Sequence, residues 1–303
     1  MNDSMIYSVA QQSHQGGRDY NEDRTSVFER RGAVLLVLAD GLGGHAGGDL
    51  ASQALVDAMS DSFAKATNEQ LKSPESFLTL SINYAHHTIH RRAVSQGFSV
   101  DSPKTTCVVC LIVDGIATWA HSGDSRLYLI RKREILYATE DHVSSKAGRL
   151  GNSPINRCVG GSEPPKPEIS AQHALETGDT LFLASDGAWS SFKPDDLFDY
   201  VDPSHPSLGL DNLLQKLEHR NKAPSDNLSI VVLFWEVKQL DHAEDNEEYD
   251  EYDEPDTIQL LNASIRASNK DQVENKSKKF DLAELDNAIG EIENFISDVD
   301  DQI

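Results

Sequence analysis

The chain has 303 residues, 38% of them hydrophobic, and 50 Asp and Glu against 27 Lys and Arg give it a net charge of −23. Ordinary apolar content at that length supports one sizeable buried core plus an appendage, while the acidic balance argues against nucleic-acid partners. The longest apolar runs, AVLLVLA and CVVCLIV, are seven residues each, far short of a membrane span, and the N-terminal MNDSMIYSVAQQ lacks the basic segment and apolar run of a signal peptide, so a cytoplasmic location is expected.

In chain order, IYSVAQQS, TSVFER and AVLLVLAD read as strands, and two long helical stretches follow at 48–67 and 74–96. TTCVVCLIV, GIATWAHS, SRLYLIRK and EILYAT are then four short strands in succession, an antiparallel meander with Asp114-Gly115 as a hairpin turn. Cys107 and Cys110 form a C-x-x-C, but within a strand positions i and i+3 face opposite sides, so they read as core cysteines. After an irregular Gly- and Pro-rich stretch at 143–167 come the strands PEISAQHAL and DTLFLASD, a helical block at 194–221 and the closing strand LSIVVLFWEV. Strands in meanders with helices grouped between them predict an α+β layering, with helices over the outer faces of antiparallel sheets.

The charge is unevenly spread. Residues 241–303 hold 20 Asp and Glu against 5 Lys and Arg, leaving residues 1–240 at −8, and 241–256 holds ten acids and no Lys or Arg. The expected organisation is a domain at 1–240, an acidic, disordered linker at 241–278 and a helix at 279–301. Leu282, Leu285, Ile289, Ile292, Ile296 and Val299 make an a/d stripe there, suited to docking on its own domain, to self-association or to a partner groove.

Five aspartates sit where apolar runs stop: Asp23, closing RDYNED, and Asp40, Asp124, Asp186 and Asp226, each followed by a small or turn residue. Carboxylates at strand ends can converge on one rim and hold hard cations, although each alone is also a common turn or cap residue. Gly41-x-Gly43-x-x-Ala46 matches a dinucleotide fingerprint as a string, the basis of a Rossmann oxidoreductase reading. Against it, Asp40 would face the pyrophosphate, and the next strand begins only near Thr105.

RDYNED, ADGLGGHAGG, Thr105-Thr106, GDSR, ASDGAW and SDN occur in that order across about residues 5–236. Together they resemble the protein phosphatase 2C family of metal-dependent Ser/Thr phosphatases in its bacterial form. The resemblance implies a two-sheet antiparallel β-sandwich flanked by helices on both sides, a four-layer αββα arrangement with a metal cleft at one end. It implies a metal-activated water attacking phosphoserine or phosphothreonine in proteins, with two Mg²⁺ or Mn²⁺ ions and no covalent phosphoenzyme. Asp40 with Gly41, Asp186 and Asp226 match the direct ligands, Glu22 and Asp23 the acids that hold metal-bound waters, and Arg18 the arginine that grips the substrate phosphate. His45 matches the histidine of bacterial GGH motifs, a candidate for substrate contact or proton delivery; Leu42 stands where eukaryotic members have a histidine. Asp124 matches a ligand of a third metal, whose partner acid is replaced by Ser190. The flap, about 143–156, is short. His86, His87 and His90 read as a solvated helix face. The alternative of an inactive phosphoprotein-binding adaptor is opposed by the presence of Arg18, Asp40, Gly41, Asp186 and Asp226. Phosphoprotein substrates of a Ser/Thr kinase are the expected partners.

Overall fold

The computed structural model describes residues 7–42, 46–143, 155–221 and 225–235, all within the unit Met1–Asp241. His45, most of the 143–156 stretch and the predicted linker and tail helix lie outside the described residues. The strands β1 (Tyr7–His14), β2 (Arg24–Arg30), β3 (Ala33–Ala39) and β4 (Gly41–Leu42) precede the helices α1 (Ala46–Lys65), α2 (Asn68–Leu71) and α3 (Pro74–Ser95). Six strands follow: β5 (Lys104–Thr105), β6 (Cys107–Val113), β7 (Ile116–Ser122), β8 (Arg126–Arg131), β9 (Glu134–Ala138) and β10 (Val159–Gly160). After β11 (Glu168–Ile169), β12 (His173–Ala174) and β13 (Thr180–Ala184) come α4 (Asp186–Trp189), α5 (Pro194–Tyr200) and α6 (Pro206–Arg220), and β14 (Leu228–Trp235) closes the fold.

The strands form two large antiparallel sheets, ordered β11-β7-β6-β3-β2 and β1-β14-β13-β8-β9, with β12 also on β7, and a small third, β10-β5-β4. Strand alternation sorts the side chains into layers. Val34, Leu36 and Leu38 of β3 and Cys110 of β6 meet Leu181, Leu183, Val231 and Leu233 between the sheets. Leu35, Val37 and Cys107 point the other way, against Leu55 and Met59 of α1 and Ile82 and Ile89 of α3. On the far side Phe182 and Val232 pack on Leu197 of α5 and Leu213 and Leu217 of α6. Both faces of each sheet are covered, so β3 and β14 are buried throughout, which is why they read as unbroken apolar runs. Each fully buried aliphatic side chain is worth roughly 1.5–3 kcal/mol over exposure. This is the expected four-layer αββα sandwich, and the two thiols of the C-x-x-C lie in different layers.

Three local expectations are corrected. The meander is two hairpins in different sheets, β6-β7 in one and β8-β9 in the other, because the chain crosses over at Gly123-Asp124-Ser125. The hairpin turn at Asp114-Gly115 holds, with both residues at positive φ. PEISAQHAL is two short pairings on β7 rather than one strand, interrupted where the Ser170 hydroxyl accepts the Trp119 N–H at 3.0 Å. The 194–221 block is broken into α5 and α6 around Pro203 and Pro206, which exclude continuous helix. Among the described residues no helix is long and apolar enough to cross a membrane.

Register brings the predicted site to one end of the sandwich. Ala184, ending β13, pairs with Ile230 near the start of β14 and with Arg126 starting β8. In the other sheet Ala39, ending β3, pairs with Arg24 starting β2, and Ser122, ending β7, pairs with Cys107 starting β6. Asp23, Asp40, Asp124, Asp186 and Asp226 all flank these ends.

Candidate metal centre

A cleft of about 210 Å³ at that end is lined by Arg18, Glu22, Asp40, Gly41, Leu42, Asp124, Ile155, Asp186, Asp226 and Asn227. The main chain of Asp40 is locked from three directions. Its N–H donates to Thr106 Oγ1 at 3.0 Å, and its carbonyl accepts from Thr105 Oγ1 at 3.0 Å and from the Thr106 N–H at 2.8 Å. Beyond it, β4 pairs with β5, and β5 with β10, in a small separate sheet. The Thr-Thr pair is thus the mount for Asp40.

Asn227 does the same for the RDYNED loop. Its Nδ2 donates to the carbonyls of Gln15 at 2.7 Å and Tyr20 at 2.9 Å, and its Oδ1 accepts the Glu22 N–H at 2.9 Å. Three bonds from one side chain pin residues 15–22 onto the start of β14. Neither role follows from spacing, although the third residue of SDN and the Thr-Thr pair were visible as motifs.

Gly41 answers to packing. A Cβ built there would lie 2.5 Å from the carbonyl carbon and oxygen of Gly48 in α1 and 2.8 Å from the Glu22 carbonyl. A Cβ at Gly48 would meet Glu22 Oε1 at 2.7 Å, so the second glycine of the GG pair seats the Glu22 carboxylate.

Burial, and then the carboxylates of Asp23, Asp186, Asp124 and Asp226, hold Asp40 well above the usual carboxylate range. Asp23 lies beneath the cleft, 3% exposed; burial pushes it up to about 7 despite hydrogen bonds from the Ser229 and Ser185 hydroxyls. Burial and Asp186 push Asp124 up to about 6, and burial and Asp226 raise Asp186. Arg18 Nη2 donates to Asp226 Oδ2 at 2.6 Å, and its guanidinium, half-exposed at the mouth, is the cationic side chain lining the cleft. That hydrogen bond, ahead of the charge of Asp226, raises the guanidinium further above neutrality.

The donor set fits hard divalent cations. It consists of oxygens, the choice of Mg²⁺ and Mn²⁺ over softer metals. Asp23 Oδ2 and Asp124 Oδ1 are buried with no hydrogen-bond partner, an arrangement that costs free energy unless a cation nearby compensates. Ser190 sends its hydroxyl to Gly187 O and Asn221 Oδ1, each at 3.4 Å, and supplies no charge.

Two histidine groups lie elsewhere. His86 is buried, its Nδ1 accepts the Gly160 N–H at 3.2 Å, and His90 Nε2 donates to the Gly161 carbonyl, so the expectation of a solvated face is corrected for His86 and His90, which pack on the β10 segment, while His87 is exposed as expected. Burial, with His90 and His87, lowers His86 to about 4. His121, His142 and Glu168 bring ligand atoms within 4.8 Å of one another. The two rings, however, stack 4.4 Å apart and 12° from parallel, so their in-plane lone pairs run side by side instead of converging. Arg157 Nη1 also stands 3.2 Å from His142 Nε2, a fixed positive charge where a cation would sit. This is a hydrogen-bonded network of His142, Glu168 and Arg157.

A family profile described as Protein phosphatase 2C matches residues 10–220. Protein phosphatase PhpP of Streptococcus pneumoniae is 26% identical over 230 residues, 71% of this chain and 92% of that protein. Serine/threonine phosphatase stp of Listeria monocytogenes is 31% identical over 186 residues, covering 56% of this chain and 73% of that one. Among solved structures, the catalytic domain of the serine/threonine protein phosphatase PstP, in complex with two manganese ions, superposes with a TM-score of 0.61 at 25% identity, over 77% of this chain and 99% of that one.

Proposed function

The chain belongs to the protein phosphatase 2C family and is a metal-dependent serine/threonine protein phosphatase, and from that premise we propose how its own residues carry the reaction. Asp40, Asp186 and Asp226, with the Gly41 carbonyl, would hold two Mg²⁺ or Mn²⁺ ions, a reading supported by the two manganese ions of PstP. Glu22 and Asp23 would support them from the outer part of the site. When bound, the ions supply Lewis acidity that activates water and offsets the charge of the phosphoryl oxygens. Arg18 sits on the rim beside Asp226 and engages the substrate phosphate through its remaining N–H donors. His45, outside the described residues, delivers a proton to the departing alkoxide of serine or threonine. Asp124 stands in the same cleft, but Ser190 leaves a third cation without its second carboxylate.

The observation that carries this reading is the convergence of Asp40, Asp124, Asp186, Asp226 and Arg18 on one cleft from five separate parts of the chain. Hydrolysis of a small aryl phosphate, with and without Mn²⁺ and repeated on Asp186→Ala, tests it; metal-independent turnover or full activity in the variant would sink it. The substrates are phosphoproteins, which we assign to an opposing Ser/Thr kinase. The 282–299 stripe we assign to docking, on its own domain or in a partner groove. Deleting 241–303 with no change in turnover or oligomeric state would remove both tail-driven assembly and any effect of docking on catalysis.

A further inference from the structure

α4 carries Asp186 at its first position and Trp189 at its last. The Trp189 indole N–H donates to the main-chain carbonyl of Asp124 at 2.8 Å. Over the same ring, the guanidinium carbon of Arg126 lies 3.4 Å from the centroid, and Asp141 clamps that guanidinium with two bonds, Nε to Oδ1 at 2.7 Å and Nη2 to Oδ2 at 2.9 Å. On the other side of α4, Asn221 Nδ2 donates to the Gly187 carbonyl at 2.7 Å. The indole is therefore held by a capped face and a directed hydrogen bond, and it extends the link between two segments beyond the point where the β13–β8 pairing ends, at Ala184 and Arg126. One is the helix after β13, in the second sheet; the other is the crossover between sheets.

Those segments carry like charges into one cleft. Asp124 and Asp186 repel, and α4 carries no second carboxylate beyond Asp186. Beyond the end of the β13–β8 pairing, α4 needs its own tie, because a ligand such as Asp186 must be held to within about 0.5 Å of the productive geometry.

We propose that Trp189 is a positioning residue that fixes α4, and with it the Asp186 carboxylate, against the Asp124 main chain, and through that the affinity of the cleft for divalent cations. The inference rests on the metal reading of the cleft given above. Trp189→Phe in the full chain keeps an aromatic ring under Arg126 and removes the N–H. Titration calorimetry of the metal-stripped protein with Mn²⁺ should give a dissociation constant raised about five-fold, the ratio equivalent to one net hydrogen bond. Arg126→Gln uncaps the ring and leaves the N–H, and should move the constant the same way by about two-fold or more. Ser170→Ala, which removes a hydrogen bond to Trp119 away from the cleft, should lower the unfolding midpoint and leave Mn²⁺ affinity unchanged. A folded Trp189→Phe or Arg126→Gln protein that binds Mn²⁺ like the parent overturns the proposal and leaves Trp189 as packing. Asp186→Ala separates the two levels. If it loses Mn²⁺ binding while Trp189→Phe does not, only the role of Trp189 fails; if it binds like the parent, the metal reading itself fails.

Discussion

Replacing Gly41 by alanine adds one methyl group where β4 touches the first turn of α1. The new Cβ would lie 2.5 Å from Gly48 C and O and 2.8 Å from the Glu22 carbonyl, and ordinary contact needs about 3.4 Å or more. Because every atom it meets is main chain, no rotamer change relieves the clash, and β4 and α1 must part by nearly 1 Å. Overpacking of this kind costs about 1–3 kcal/mol, or roughly 2–12 °C in the unfolding midpoint of a domain this size. Asp40 is the adjacent residue and is held by Thr105 and Thr106, so the displacement is transmitted to a carboxylate whose misplacement by 1 Å can cost about 10²-fold in rate. Gly47, next to Gly48 in the same helix, is the control. A Cβ there has ordinary neighbours, Ser102 Oγ at 3.6 Å and the Pro103 Cα at 4.0 Å, and Gly47→Ala should be neutral or stabilising by about 0.5–1 kcal/mol through helix propensity. Differential scanning fluorimetry and aryl phosphate turnover at saturating Mn²⁺ read both effects. Equal midpoints for the two variants, or full turnover in Gly41→Ala, would refute the packing argument.

The raised carboxylates set a pH dependence whose sign can be worked out. Asp23 at about 7 and Asp124 at about 6 bind protons more tightly folded than unfolded, so between about pH 4 and 7 the metal-free protein loses stability as pH rises. Its midpoint in chelator should fall from pH 5 to 7.5, and the stabilisation by Mn²⁺ should be larger at 7.5, where protons no longer compete; a midpoint in chelator that rises over this range contradicts the assignment. Arg18→Lys keeps the charge and loses the planar fork, so kcat/KM on a phosphopeptide should drop about 10- to 100-fold, and a variant within two-fold of the parent, roughly 0.4 kcal/mol, would remove Arg18 from substrate binding. His45→Gln should slow phosphoserine peptide hydrolysis by about 10²-fold and spare p-nitrophenyl phosphate, whose leaving group departs without a proton. Equal losses on both substrates would contradict proton delivery.

The strand-end aspartates were legible because the physics that places them is local: apolar runs begin and end at the rim, and the polar residues that flank them lie at the cleft end. Asp40, Asp124, Asp186 and Asp226 could thus be picked out as a set, although each alone is a common turn or cap residue, and the two-faced burial of β3 and β14 was written in their apolar runs. What holds those residues was not legible. Asn227 acts on Gln15, Tyr20 and Glu22 from more than 200 positions away, and Thr105 and Thr106 act on Asp40 from 65 and 66; no periodicity encodes such pairs. The crossover at Gly123 to Ser125 was hidden for a related reason. A turn between two strands looks the same whether the second strand joins the same sheet or the opposite one, and only the burial of both partners decides.

Five carboxylates in one cleft with one lining arginine make an arrangement that raises its own proton affinity, and folding alone gains nothing from it. The surrounding bonds hold it against that repulsion: the Thr pair on Asp40, Asn227 on the Glu22 loop, and Trp189 between Asp186 and Asp124. Such a frame costs stability in the metal-free chain above neutral pH and returns it as cation affinity, since ligands already held together need not be gathered at the moment of binding. Loosening the frame without touching a carboxylate should therefore stabilise the metal-free protein toward higher pH while weakening Mn²⁺ binding, a pair of opposite changes that general damage to the fold does not produce.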